Sequence, residues 1–195
     1  MAHATSDGRV LRGERTRGAI ADALLELLEE GVPQPTAREI AERAGVSLRS
    51  VFQHFDDLEA LYAACVRHQQ ARIAPLMTPI DPGLPLETRI DDFVAQRARL
   101  YERIAPVRRA VRAVSASSAA LRDGLGRMAL EHRREVEELF DAELALAPSR
   151  RELLAAVEVA TSFDAWDHLR HVQGASVTVA RAAVARLVSG VLEEA

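Results

Sequence analysis

TAREIAERAGVSLRSVFQHF, residues 36–55, reads as two short helices joined by a tight turn. Ile40, Ala41 and Ala44 give the first helix a small apolar inner face. Gly45 stands where the chain must turn sharply, and glycine tolerates the positive φ such a turn needs. Val46 plugs the corner, and Ser47 can cap the second helix by accepting a backbone N–H. Val51 and Phe55, four apart, anchor that helix from beneath, leaving Arg49, Ser50, Gln53 and His54 on other faces. This spacing predicts a helix-turn-helix, whose second helix enters the major groove of duplex DNA.

Outward from that stretch the pattern stays helical. Ile20, Ala23, Leu24, Leu27 and Leu28 form one apolar stripe on a helix predicted from about Gly13 to Glu30, with Gly31, Pro33 and Pro35 after it. Thr36, with Glu39 three residues on, makes a capping box for the next helix. Asp56 or Asp57 caps a fourth, which carries Leu58, Leu61, Tyr62, Cys65 and Val66 and runs to about Ala74. Pro75, Pro79, Pro82, Gly83 and Pro85 then exclude a helix interior.

Beyond them the sequence predicts a helix from Leu86 to Ile104 ended by Pro106, and a short piece from Val107 to Ser115. A long helix follows, capped by Ser118 and reaching Leu146. Another starts at Pro148 and Ser149 and ends near Gly174, and Ser176 opens the last. In the last, Ala180, Ala183, Val184, Leu187, Val188, Val191 and Leu192 make a single stripe. No strand pattern and no repeat is present, so the fold class is all-α.

Composition supports this. Aromatics are only 4% while alanine and leucine abound, which favours helix over sheet. No apolar run reaches the roughly 18 residues of a membrane span. The N-terminus lacks the apolar core of a secretory signal, so a cytoplasmic location is expected. The single cysteine, Cys65, excludes an internal disulfide and reads as a small buried filler. A net charge of −4 argues on its face against nucleic acid, but distribution matters more than the sum. Arg9, Arg12, Arg15 and Arg17 cluster near the N-terminus, as an arm that could reach a phosphate backbone or as a solvated tail.

Residues 36–62, TAREIAERAGVSLRSVFQHFDDLEALY, resemble the signature of the TetR family of bacterial transcriptional regulators. The resemblance implies a three-helix DNA-binding domain, here 10–74 with its connecting fourth helix. It implies a second helical domain, here 86–195, that binds a small molecule and forms a homodimer. Such proteins are mostly repressors that release double-stranded DNA when the effector binds.

Carried over by residue, Thr36 sits at a phosphate-contacting position and Arg38 where some members read a base. Ser47, Leu48, Arg49 and Ser50 occupy the leading end of the recognition helix, and Phe52, Gln53 and His54 fall where backbone phosphates or base edges are met. Arg38 and Arg49 are the candidate base readers, and Leu48 either packs on a thymine methyl or folds back toward Phe52. Two departures stand out. Phe52 replaces the usual tyrosine and Leu58 the common lysine, while Asp56, Asp57 and Glu59 add negative charge. Each lost phosphate contact flattens the salt dependence of binding by about one unit of log–log slope.

By analogy with that fold, Phe93, Tyr101, Met128, His132, Phe163 and Trp166 line an effector pocket, although core packing accounts for the same aromatics. The last two helices, rich in alanine and valine, are the dimer candidates. Asp164, His168 and His171 share a helical face but have no fourth ligand, so no metal is expected. No nucleophile elbow, phosphate-cradling loop or metal motif points to an enzyme or a cofactor, and Glu137 and Glu138 read as solvated helix surface. The competing reading is a helical ligand-binding or protein-interaction module whose DNA contacts have weakened.

Overall fold

The computed structural model describes residues 3–115 and 118–193. Among them are ten α-helices and no strand. The chain divides into two compact units. One comprises the residues up to Ala74 together with Pro106–Asp123, and the other Pro75–Ala105 and the residues from Gly124 onward. The last third of the long helix Leu86–Ser115 belongs to the first of these units.

The first unit contains α1 (His3–Glu29), α2 (Ala37–Ala44), α3 (Leu48–His54) and α4 (Leu58–Ile73). Its core is the stripe read from the sequence: Ile20, Leu24, Leu27 and Leu28 of α1 are buried with Ile40, Val51, Phe55 and Leu61. Cys65 lies in that core fully buried, and burial pushes its thiol up to about 12, which makes it inert packing. Helix α1 starts about ten residues before the predicted Gly13. Val10 and Leu11 there are exposed, so the segment extends the hydrogen-bond ladder of the packed part rather than filling a core. The side chain of Arg9 lies outside the described residues.

Three predicted boundaries are corrected in later helices. Helix α5 runs unbroken from Leu86 to Ser115 with Pro106 inside it. An interior proline forfeits one backbone hydrogen bond at a cost of about 3 kcal/mol, and here Ile104, Ala105 and Val107 are buried on both sides of it, holding the helix together. The predicted helix from Ser118 to Leu146 is two, α6 (Ala119–Leu139) and α7 (Asp141–Leu146). The break falls at Phe140, at φ −115° and ψ 25°, whose ring is fully buried edge-on to Phe93 at 5.9 Å. Ser118 does cap α6, accepting from the Leu121 N–H at 3.0 Å.

The predicted helix from Ser149 to Gly174 likewise divides into α8 (Arg150–Ala160) and α9 (Phe163–Asp167), followed by a π-helical turn, His168–Val172. Thr161 ends α8, and Ser162 starts α9 by accepting from the Ala165 N–H at 3.1 Å. Helix α10 (Val177–Glu193) packs on α8, burying Ala180, Val184, Val188 and Leu192 of its predicted stripe; Leu187 is exposed.

Candidate nucleic-acid interface

Every helix end around the α2–α3 turn is closed by the residues expected to close it. Thr36 Oγ1 accepts from the Glu39 N–H at 3.3 Å, and the Thr36 N–H donates to Glu39 Oε2 at 2.7 Å. That backbone donor holds the Glu39 carboxyl below its usual range. Gly45 adopts the left-handed conformation, φ 67° and ψ 30°, and the Val46 N–H donates back to the Ala41 carbonyl at 3.0 Å. A side chain at Gly45 would meet nothing, so the backbone angle alone selects glycine. Ser47 Oγ then accepts from the Ser50 N–H at 3.1 Å and starts α3.

With Val51 and Phe55 buried, α3 displays Leu48, Arg49, Phe52 and Gln53 to solvent, while Ser50 and His54 are half-buried. Arg38 on α2 is also exposed. By contrast, Arg43 is committed to Glu30 and Glu26 at 2.7 and 3.6 Å, so it braces α2 against α1. Thr36 donates both its N–H and its hydroxyl to Glu39, so a phosphate there would have to compete with that carboxylate.

Arg17 differs from its sequence reading as part of a phosphate-seeking arm. Its guanidinium donates to the His54 carbonyl and lies over the Phe55 ring at 4.2 Å. A cation at the last carbonyls of α3 meets the negative end of that helix. Nothing local to Arg17 signals this role, because its partners lie 37 residues away.

In the second unit the six predicted pocket residues separate into two groups. Tyr101 packs edge-on to Phe163 at 5.6 Å and donates its hydroxyl to the Thr161 carbonyl at 2.7 Å. Trp166 donates its indole N–H to Glu102 at 2.9 Å, and Arg170 holds the same carboxylate. These three aromatics form a packed, anchored cluster. Phe93 and His132 form the other group, stacked at 6.1 Å, and Met128 is half-buried.

The Thr161 hydroxyl donates to the Val157 carbonyl at 2.7 Å, so it must accept from His132 Nε2 at 3.0 Å. The imidazole then carries its proton on Nε2, and buried Nδ1 is an unpartnered acceptor. Burial, reinforced by Arg97, pushes the His132 pKa down to about 4.

Of the six, Phe93 borders a hollow of about 410 Å³ in this unit. Its other walls are Met77, Pro79, Ile80 and Leu139 with Gln96, Glu135 and Glu138. Glu138, read from the sequence as plain helix surface, thus stands at a cavity. The signal that could have found it is its spacing from Glu135 on α6, which puts both carboxylates on one face. The π-helical turn also takes His168 and His171 out of α-helical spacing, and no cluster of metal-ligating side chains occurs among the described residues.

A capped helix-turn-helix with an exposed second helix, in a chain with a second helical unit, defines the helix-turn-helix class of fold. Residues 20–65 match the model of bacterial regulatory proteins of the tetR family. A stretch of 76 residues is 38% identical to the uncharacterized HTH-type transcriptional regulator TtgW of Pseudomonas putida. That match covers 38% of this chain and 54% of that relative.

Two solved structures share the fold. A transcriptional regulator from Rhodococcus sp. Rha1 superposes with a TM-score of 0.73 at 19% identity, over 91% of this chain and 96% of that one. A candidate transcriptional regulator from Streptomyces coelicolor A3(2) gives 0.59 at 24% identity, over 90% and 99% of the two chains. No described helix is long and apolar enough to cross a membrane.

Proposed function

We propose that the protein is a homodimeric, ligand-responsive regulator of transcription that binds double-stranded DNA through α3, and that it acts as a repressor. The observation that carries this is the exposed Arg49–Gln53 face of α3, set on a buried Val51–Phe55 base and braced by Arg17. Arg49 and Arg38 offer planar, bidentate donors to guanine edges, while Gln53 and the polar ends of α3 meet phosphates. Dimerisation is supported by apolar side chains left exposed on α8 and α10: Val159, Val179 and Leu187. A twofold dimer presents two α3 helices to successive major grooves, and an effector in the second unit acts by changing their separation.

A specific observation favours the alternative module as well. Leu48, Phe52 and Leu58 are 39%, 60% and 50% exposed, an apolar content unusual for a phosphate-binding face. Titrating the DNA upstream of the protein's own gene at graded salt separates the two. The regulator binds one segment selectively at low salt, with a shallower slope than expected for a member that keeps the tyrosine and lysine contacts. An absence of any selective binding at low salt transfers the face to a protein partner.

A further inference from the structure

We propose that the cleft of the second unit takes an organic cation, an amphiphile with an N–H-bearing ammonium head and an apolar body; this rests on the ligand-responsive reading above. The cleft's apolar surface comes from Met77, Ile80, Phe93 and Leu139, and its about 410 Å³ suits a ligand of small-drug size. A second hollow of about 270 Å³ shares Thr78, Pro79, Ile80 and Gln96 with it, so the two form one continuous groove.

The polar chemistry of that groove is one-sided. Glu135 and Glu138 border the first hollow, and Asp81 and Asp92 the second. Against these four carboxylates stand two guanidiniums, Arg99 at the second hollow and Arg97, which is 5% exposed and paired with Glu135. Gln96 borders both hollows and is itself 6% exposed. Its amide donates one N–H to the Thr78 carbonyl at 2.6 Å, which fixes the side chain and leaves its carbonyl oxygen available as an acceptor beside the second N–H.

A site of acceptors and excess negative charge selects against anions by repulsion, and against purely apolar ligands by leaving those acceptors unpaired. It selects for a cation that brings N–H donors and covers the apolar wall. The chemistry needed is an amine protonated at neutral pH on a chain or ring system of about ten carbons.

Calorimetric titration of the full-length protein with decylammonium, decyltrimethylammonium, decanol and decanoate, each below its micelle concentration, tests this. Decylammonium is expected to bind at least tenfold more tightly than decanol or decanoate and at least threefold more tightly than the quaternary analogue. Glu138→Gln, at an exposed position, is expected to weaken decylammonium about fivefold while leaving the unfolding midpoint in place. Equal or tighter binding of decanoate or decanol, no binding of any probe, or indifference to Glu138→Gln overturns the proposal. Equal binding of the quaternary analogue overturns its N–H part. Selective DNA binding by the same ligand-free preparation is scored separately, so failure of the cation proposal and failure of the regulator reading give different results.

Discussion

In the first unit, α2, α3 and α4 each begin at a capping side chain immediately before them: Thr36, Ser47 and Asp57. In the second, helix breaks fall where a large side chain must be buried or a helix must bend, as at Phe140 and Thr161, and charged groups are taken inside. Arg89, 5% exposed, donates to the carbonyls of Leu84 and Leu139 at 2.9 and 2.7 Å and pairs with Glu143. Arg97 is buried against Phe93 and Glu135. Both units use N-caps and long-range ion pairs, but the first keeps its pairs at the surface around one apolar stripe, whereas the second buries Arg89 and Arg97 to pin helices together. The contrast teaches where each unit is fragile: the first at its caps, the second at its interior charges.

Breaking an interior charge should produce the largest effect. Arg89→Ala leaves Glu143 without its partner and strands two carbonyls, and a buried pair broken on one side costs about 3–5 kcal/mol. Urea unfolding followed by helical circular dichroism would register that loss in the second unit. A change within 1 kcal/mol would mean the pair is not a structural pin.

Acid should come next. The His132 pKa is lowered to about 4 in the folded protein against 6.5 in the unfolded chain. Above pH 6.5 both states are neutral and the group contributes nothing. As pH falls from 6.5 toward 4 only the unfolded chain takes up the proton, so stability drops by up to about 3 kcal/mol. Denaturant melts at pH 7, 6 and 5 should show this slope in the native protein and not in His132→Gln. Among the described residues of the first unit no imidazole has a buried, unpartnered nitrogen as this one does.

The caps of the first unit should give smaller losses. Gly45→Ala forces a Cβ into a left-handed conformation, at about 1–2 kcal/mol. Ser47→Ala removes the α3 cap at about 1 kcal/mol. Both should lower the thermal midpoint while leaving oligomeric state unchanged. Equal or greater losses at these caps than at Arg89 would invert the comparison.

The same contrast explains what the sequence disclosed. The capping box, the glycine turn, the Ser47 cap and the Val51–Phe55 base are set by residues within five positions of one another, and all were legible. So was the α1 stripe, because helical period alone places Ile20, Leu24 and Leu28 together. The breaks at Phe140 and Thr161 were not legible. A ring or hydroxyl takes its place there because of partners dozens of residues away, as Phe140 does against Phe93 and Tyr101 against the Thr161 carbonyl. Pro106 misled for the same reason, since a local breaker was outweighed by burial on both flanks. At the candidate interface, exposure of Arg49 and Gln53 followed from the pattern, but the diversion of Arg17 to the end of α3 did not. In the second unit the hydrogen bonds of Tyr101 to the Thr161 carbonyl and of Trp166 to Glu102, across 60 and 64 residues, could not be read from the pattern either.

Everything proposed for α3 turns on Arg49 reaching the base edges of a duplex. The most direct measurement is the affinity of the native protein and of Arg49→Ala for a selected operator and for that operator with the contacted guanine replaced. Arg49→Ala is expected to lose about 1–3 kcal/mol on the operator, roughly tenfold or more, and to become indifferent to the replaced base, with unchanged folding stability. An Arg49→Ala protein that keeps native affinity and native base preference would contradict it.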